Sequence, residues 1–156
     1  MVKISTKGRY AVRAMTDLAY HSKKLPISLS HISVRQDISL HYLEQLFVKL
    51  RRAGLVKSVR GPGGGYLLSR DAKNINLKDV LLAVDEEIYP VECIRANGRR
   101  KNPCERLDDC VTRLIWKRLG DEIFKTLESI TIQELCEEKE RIERDKRVKH
   151  NFVVNI

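Results

Sequence analysis

No stretch of this 156-residue sequence comes near the roughly 18–20 consecutive apolar residues that a membrane-spanning helix requires. The opening Met1-Val2-Lys3-Ile4-Ser5 has no secretory apolar region. Membrane and secreted classes are therefore not expected, and a cytoplasmic location is. No internal repeat is visible. The histidines, His21, His31, His41 and His150, are scattered, and no Ser/His/Asp arrangement stands in a usable context. An enzyme with a small-molecule substrate is not expected. The glycine-rich run Gly61-Pro62-Gly63-Gly64-Gly65 is followed by no Lys-Ser/Thr pair and opens no helix, which excludes a phosphate-binding loop.

What is present suits one domain with an appended helical part. Hydrophobic residues make up 42%, enough for a core, and charged residues 33%. The net charge of +9 is distributed unevenly. Residues 1–75 hold 14 Lys and Arg against 4 Asp and Glu, a net +10, and residues 76–156 hold 16 against 17, a net −1. A basic module joined to a charge-balanced one suits a binder of polyanions.

The basic half reads as short helices followed by a hairpin. Tyr10, Val12, Ala14, Met15, Leu18 and Ala19 recur at helical spacing over Tyr10–Leu25, and Pro26 ends the run. A second helix spans Ser28 or Leu29 to Gln36. Ser39 caps a third that runs to Arg52, with Gly54 just past its end. Two helices joined so tightly read as a helix-turn-helix. Leu55–Arg60 and Tyr66–Ser69 are short β-rich runs, with Pro62 and Gly63 suited to a type II turn between them. A hairpin in that place is a wing. The expected fold is mainly α with a small β-hairpin, a winged helix-turn-helix over 1–84. A cysteine-bearing loop over 85–110 follows, then a long helix over 111–129, a capping box at Thr131-x-x-Glu134 opening another helix to 147, and a frayed tail over 148–156.

In the third helix Leu43, Leu46, Phe47 and Leu50 share a face, so His41, Gln45 and Arg52 look outward. Laid in a major groove, such a helix presents its first two turns, Ser39 to Gln45, to base edges. Gln45 can pair with adenine, and Glu44 can accept from a cytosine amino group or repel a phosphate. Arg60 ends the first wing strand, where an arginine can enter a narrow minor groove. Glycines such as Gly61 and Gly63 let the tip approach a backbone, and four glycines in five residues exceed what a turn alone needs.

Cys93, Cys104 and Cys110 fall within 18 residues, and Cys136 lies in a predicted helix, where it is expected to pack as a small hydrophobe beside Leu135. Clustered cytoplasmic cysteines bind metal or sense redox state more often than they form disulfides. Thiolates suit zinc, copper(I) or an iron–sulfur cluster, and the spacing C-x10-C-x5-C has no C-x2-C pair of a structural zinc site. Arg95, Arg99, Arg100, Lys101 and Arg106 can offset the negative charge of such a centre.

Three segments together, Ser5-Thr6-Lys7-Gly8-Arg9-Tyr10-Ala11, Ser39-Leu40-His41-Tyr42-Leu43-Glu44-Gln45-Leu46-Phe47 and Ser58-Val59-Arg60-Gly61-Pro62-Gly63-Gly64-Gly65-Tyr66-Leu67-Leu68, closely resemble the iron–sulfur cluster regulators, the IscR-like transcription factors. The resemblance spans roughly residues 2 to 135. It implies a homodimeric, DNA-binding repressor of iron–sulfur cluster biogenesis genes, dimerised through the helix at 111–129, with Gly120 allowing close approach of the two subunits. It implies duplex contacts from Ser39, His41, Tyr42, Glu44, Gln45 and Arg60, with Lys7 on a phosphate. It further implies a [2Fe–2S] cluster on Cys93, Cys104 and Cys110. In that family the cluster-free form binds one class of sites and the cluster-bound form gains another. Two departures stand out. The first gap between cysteines is longer here, and Arg113 occupies the place of the family's histidine ligand, three residues after Cys110. A guanidinium has no lone pair to donate, so the fourth ligand is open among Glu105, Asp108, Asp109, Cys136, a partner's histidine and an exogenous thiol or water. The same loop could instead serve a nitric-oxide, redox-thiol or zinc response.

Overall fold

Residues 4–94, 104, 106 and 109–154 are described by a computed structural model, with side chains through residue 147. The first helix, α1, spans Thr6–Ser22 and begins four residues before the apolar periodicity does. Its start is set by Ser5, whose hydroxyl accepts from the Gly8 amide at 3.3 Å and so satisfies one of the free first-turn donors. It ends at Lys23 and Lys24, both left-handed, short of the expected Leu25.

Helix α2 spans Leu29–Gln36 and α3 spans Leu40–Arg52, each opened by a serine (Ser28, Ser39) whose hydroxyl accepts from an amide of the first turn. Between them Asp37 takes a left-handed conformation and Ser33 donates from its hydroxyl to the Ile38 carbonyl at 2.6 Å, which tightens the turn. A buried polar staple joins α1 to α2. Asp17, 1% exposed, accepts from Arg35 at 3.0 and 2.6 Å and from Gln36 at 2.8 Å, so its carboxylate is paired inside the core rather than stranded there.

Strands β1 (Val56–Val59) and β2 (Gly65–Leu68) pair antiparallel, with Val56 opposite Leu68 and Val59 opposite Gly65. The turn at their tip closes through the Gly64 amide on the Gly61 carbonyl at 2.9 Å, with Gly63 at φ +74° as the third residue of a type II turn must be. Sequence patterning missed a third line of pairing. Ile27, in the connection between α1 and α2, exchanges both backbone hydrogen bonds with Tyr66, at 3.0 and 2.8 Å.

The core gathers Ala11, Met15, Leu18, Ile32, Leu43, Phe47, Leu50 and Val56, with Phe47 edge-on to Tyr66 at 4.8 Å between centroids. Each of these side chains larger than alanine contributes about 1.5–3 kcal/mol of apolar burial. Helix α4 (Leu77–Ala83), capped by Asn76, whose side-chain oxygen accepts from the Asp79 amide at 2.8 Å, packs on α1 and α3. Helix α5 (Thr112–Ser129) lies on α4 and on a short 3-10 turn at Glu92–Ile94.

Helix α6 (Ile132–Val154) opens with the expected reciprocal box, Glu134 amide to Thr131 hydroxyl at 3.2 Å and Thr131 amide to the Glu134 carboxylate at 3.3 Å. It then returns to α1, placing Ile132 and Cys136 in the same buried cluster as residues of the winged helix. The buried core thus draws on α6 as well as on the winged helix, and α6 continues through 148–154.

Candidate nucleic-acid interface and thiol loop

Helix α3 divides as its sequence predicts. Leu43, Leu46, Phe47 and Leu50 are buried, while Ser39, His41, Glu44, Gln45 and Arg52 are exposed. His41 and Gln45 lie one turn apart, their Nε2 atoms 3.0 Å from each other, and His41 Nδ1 is 3.9 Å from the Glu44 carboxylate. These three side chains form one polar patch with no partner from another element among the described contacts. The Ser39 hydroxyl is used by its own helix, accepting from the Tyr42 amide at 3.3 Å. Tyr42 is half-buried, its ring edge-on to Tyr10 at 5.8 Å, so its body belongs to packing.

Arg60 is exposed at the end of β1, and Gly61 and Gly63 stand beside open space, where their positive φ rather than crowding calls for glycine. The surplus of glycine has an origin inside the chain. A Cβ on Gly64 would lie 2.4 Å from the Val59 carbonyl oxygen, and one on Gly65 2.3 Å from that of Ile27. Gly64 is thus required by the hairpin's own backbone and Gly65 by the third line of pairing, so close packing within the chain accounts for both. Lys7 is half-buried in the first turn of α1, and its ammonium donates to the Asp85 carbonyl at 2.8 Å.

Three of the four thiols stay outside the core. Cys104 is exposed, Cys93 is half-buried in the Glu92–Ile94 turn, and Cys110 is half-buried just before α5. Cys110 Sγ lies 3.2 Å from the Thr112 hydroxyl. That hydrogen bond first, then the Arg113 amide and the Arg113 charge, hold its thiol below the ordinary cysteine range. The start of α5 has no side-chain cap, which leaves its first amides to favour a thiolate. Cys136 is the contrary case. It is buried against α1 with Sγ 3.7 Å from the Thr16 carbonyl, and burial pushes its thiol up to about 11. It packs as a small hydrophobe, as expected, and is removed from the candidate ligands.

Glu105, Asp108, Arg95, Arg99, Arg100 and Lys101 lie outside the described residues, while Asp109 and Arg106 are described and exposed. Among the described residues no three His, Cys, Asp or Glu side chains stand together. The donor chemistry nevertheless fits a thiolate-ligated centre, with three soft sulfurs kept out of the core and one of them poised toward thiolate. Gly120 is a correction. It is buried against its own chain, where a Cβ would meet Ile94 at 3.2 Å and Pro90 at 3.6 Å, so it lets the cysteine loop lie on α5 and does not serve contact between subunits.

A third helix with a polar outward face and a hairpin directly after it are the architecture of a winged-helix DNA-binding transcriptional regulator. The comparisons with known proteins agree. The chain belongs to the Rrf2 family of iron-dependent transcriptional regulators, which it matches over residues 4–138. It is 47% identical over 154 residues to the HTH-type transcriptional regulator IscR of Vibrio vulnificus, covering 99% of this chain and 89% of that protein. To IscR of Pectobacterium atrosepticum it is 50% identical over 139 residues, covering 89% and 82%. Among solved structures it is similar to CymR, the global cysteine regulator of B. subtilis, with a TM-score of 0.71 and 37% identity over 88% of this chain and 98% of that one. It is similar also to T. potens IscR, with a TM-score of 0.70 and 38% identity over 90% of each chain. Among the described residues no helix is long and apolar enough to cross a membrane.

Proposed function

We propose that this chain is a homodimeric repressor of iron–sulfur cluster biogenesis genes whose grip on its operators follows the state of a [2Fe–2S] cluster held by Cys93, Cys104 and Cys110. The observation that carries the reading is the division of the four thiols. Cys136 is buried and inert, while the other three lie on or beside the loop between the winged helix and α5, with Cys110 favouring thiolate. When bound, such a cluster supplies a redox-active, acid-labile centre that reports iron and oxidant status.

The remaining parts of the reading rest on residues of this chain. Ser39, His41, Tyr42, Glu44 and Gln45 face or flank the major groove, and Arg60 with the Gly61 and Gly63 tip reaches the adjacent minor groove. Lys7 meets a phosphate. Support for the dimer comes from α5, where Leu114, Ile115 and Leu119, with Val111 just before the helix, are exposed among the described residues. A contiguous apolar face of this kind marks a protein interface. The cytoplasm is the compartment that keeps these thiols reduced.

A second reading has one specific observation in its favour. Arg113 stands where the resembled regulators have a histidine ligand, and its amide and charge favour a free Cys110 thiolate. Such a thiol suits a redox, nitric-oxide or zinc response. Anaerobic purification with quantitation of iron, sulfide and zinc separates the two. Iron and sulfide in equal amounts, lost in Cys104→Ala, support the cluster. Zinc, or a metal-free protein, supports the second reading. Retention of iron after replacement of all three loop cysteines refutes both ligand assignments.

A further inference from the structure

Helix α4 ends in a way that aims two carboxylates at two other helices, Glu86 at the start of α1 and Asp85 at Lys49 of α3. Past its C-cap Val84, Asp85 is left-handed at φ +54°. The Asp85 amide donates to the Leu82 carbonyl at 3.0 Å and the Glu86 amide to the Leu81 carbonyl at 2.9 Å. This is the paired Schellman stop, which sets the direction in which both residues leave the helix.

Glu86, 5% exposed, turns onto the start of α1. Its carboxylate accepts from the Ser5 amide at 2.8 Å and from the Ser5 hydroxyl. Gly8 is part of the same fit, since a Cβ there would meet the Glu86 carboxyl carbon and the Leu81 and Ile4 side chains at 3.0 Å. Asp85 turns the other way and gathers two cations. Its carboxylate accepts from the Lys49 ammonium at 2.7 Å, and its carbonyl from the Lys7 ammonium at 2.8 Å. Lys49 follows Gln45 by one turn on α3 and so lies on the same side of the helix as His41 and Gln45. Two ammonium groups from two different helices thus converge on one residue, in the way they would converge on a phosphate.

We propose that Asp85 is an internal competitor of the DNA backbone. Its carboxylate holds Lys49, and its carbonyl holds Lys7, in the place a phosphate would take, and Glu86 is the anchor that keeps it there. The Lys49 hydrogen bond and charge hold the Asp85 carboxyl below its ordinary range, so the contact stays ionic at neutral pH. Asp85 and Glu86 are also the first residues of the segment that leads to Cys93, eight positions on from Asp85. The cysteine loop is therefore tied at its root to the two elements that face the duplex. The thermodynamic consequence is reciprocal: whatever draws the loop away frees Lys49 for phosphate, and a duplex that captures Lys49 loosens the loop.

The test is Asp85→Asn, which keeps the left-handed stop because asparagine tolerates that conformation and removes only the charge. Binding of the intact protein to a short duplex of arbitrary sequence is measured across salt. Freed Lys49 adds one phosphate contact, which steepens the log–log salt slope by about 0.9 for each protomer bound. Between 200 and 50 mM salt the advantage of D85N over wild type then grows by about 3.5-fold per protomer. Lys49→Ala in the wild-type background leaves the slope unchanged, and in the D85N background removes the gain. A merely structural role for Asp85 shifts the melting temperature without moving the slope. Equal slopes for D85N and wild type, a D85N gain that persists after Lys49→Ala, or weaker binding by D85N overturns the competition. Duplex binding by wild type that does not respond to salt removes instead the DNA-facing placement of α3 on which the competition rests.

Discussion

Glu44 is the one acidic side chain on the outward face of α3, and its removal tests the proposed placement of that face against a duplex. Its carboxylate is exposed, and His41 Nδ1 stands 3.9 Å from it, beyond a good hydrogen bond. Nothing in the fold depends on it. Glu44→Ala therefore changes stability by no more than about 0.5 kcal/mol, as expected of an exposed helix position given a good helix former. Its effect on recognition is larger. A carboxylate facing base edges accepts from a cytosine amino group and repels acceptor-rich edges, and one such contact discriminates between base pairs by about 1–3 kcal/mol. In ratios of dissociation constants that is about 5- to 160-fold. The loss of a negative charge strengthens binding to every duplex alike, so the ratio between sequences isolates the base-specific part. The assay selects preferred duplexes for wild type from a randomised pool. Binding of both proteins is then measured to that sequence and to each single-base-pair variant of it. Glu44→Ala should relax preference at one or two adjacent positions and leave the others intact. A ratio unchanged at every position places Glu44 away from the groove and undoes the proposed docking.

Two further outcomes follow from the perturbed groups. In metal-free protein Cys110 should be alkylated at neutral pH well before Cys136, and Thr112→Val should slow Cys110 by removing the hydroxyl that favours its thiolate; mass-spectrometric mapping over time checks both, and an unchanged Cys110 rate refutes the role of Thr112. His21 is held below its ordinary 6.5 by burial first and then by Arg35 and Lys139, against the opposing pull of Asp17 and Glu143. The unfolded chain therefore takes up this proton before the folded one, so the stability linked to it is complete above about pH 6.5 and is lost as pH falls from there. Melting temperatures between about pH 7 and 5 should fall less steeply in His21→Asn than in wild type, and equal slopes would dismiss His21 as a contributor.

Much of the architecture was legible in the chain because it is local. Ser28, Ser39, Asn76 and Thr131 cap helices through their own side chains, Pro62-Gly63 sets a turn, and the apolar face of α3 follows from spacing alone. Each of these is decided within a few residues, where sequence and structure are nearly the same information. The polar patch of His41, Glu44 and Gln45 was legible for the same reason.

What the tertiary structure decided involves partners far apart in sequence. The true start of α1 depends on Ser5, which Glu86 holds from 81 residues away, and Gly8 reads as a helix weakener until that carboxylate is seen against it. Gly64 is demanded by the approach of the Val59 and Gly61 carbonyls and Gly65 by that of Ile27, and Gly120 suggested a partner subunit until Pro90 and Ile94 took its place. Cys136 and the three loop cysteines are alike as letters. Helical spacing already set Cys136 apart as a small hydrophobe, but only packing against α1 shows how far its thiol is withdrawn, because reactivity is set by solvent and neighbouring charge.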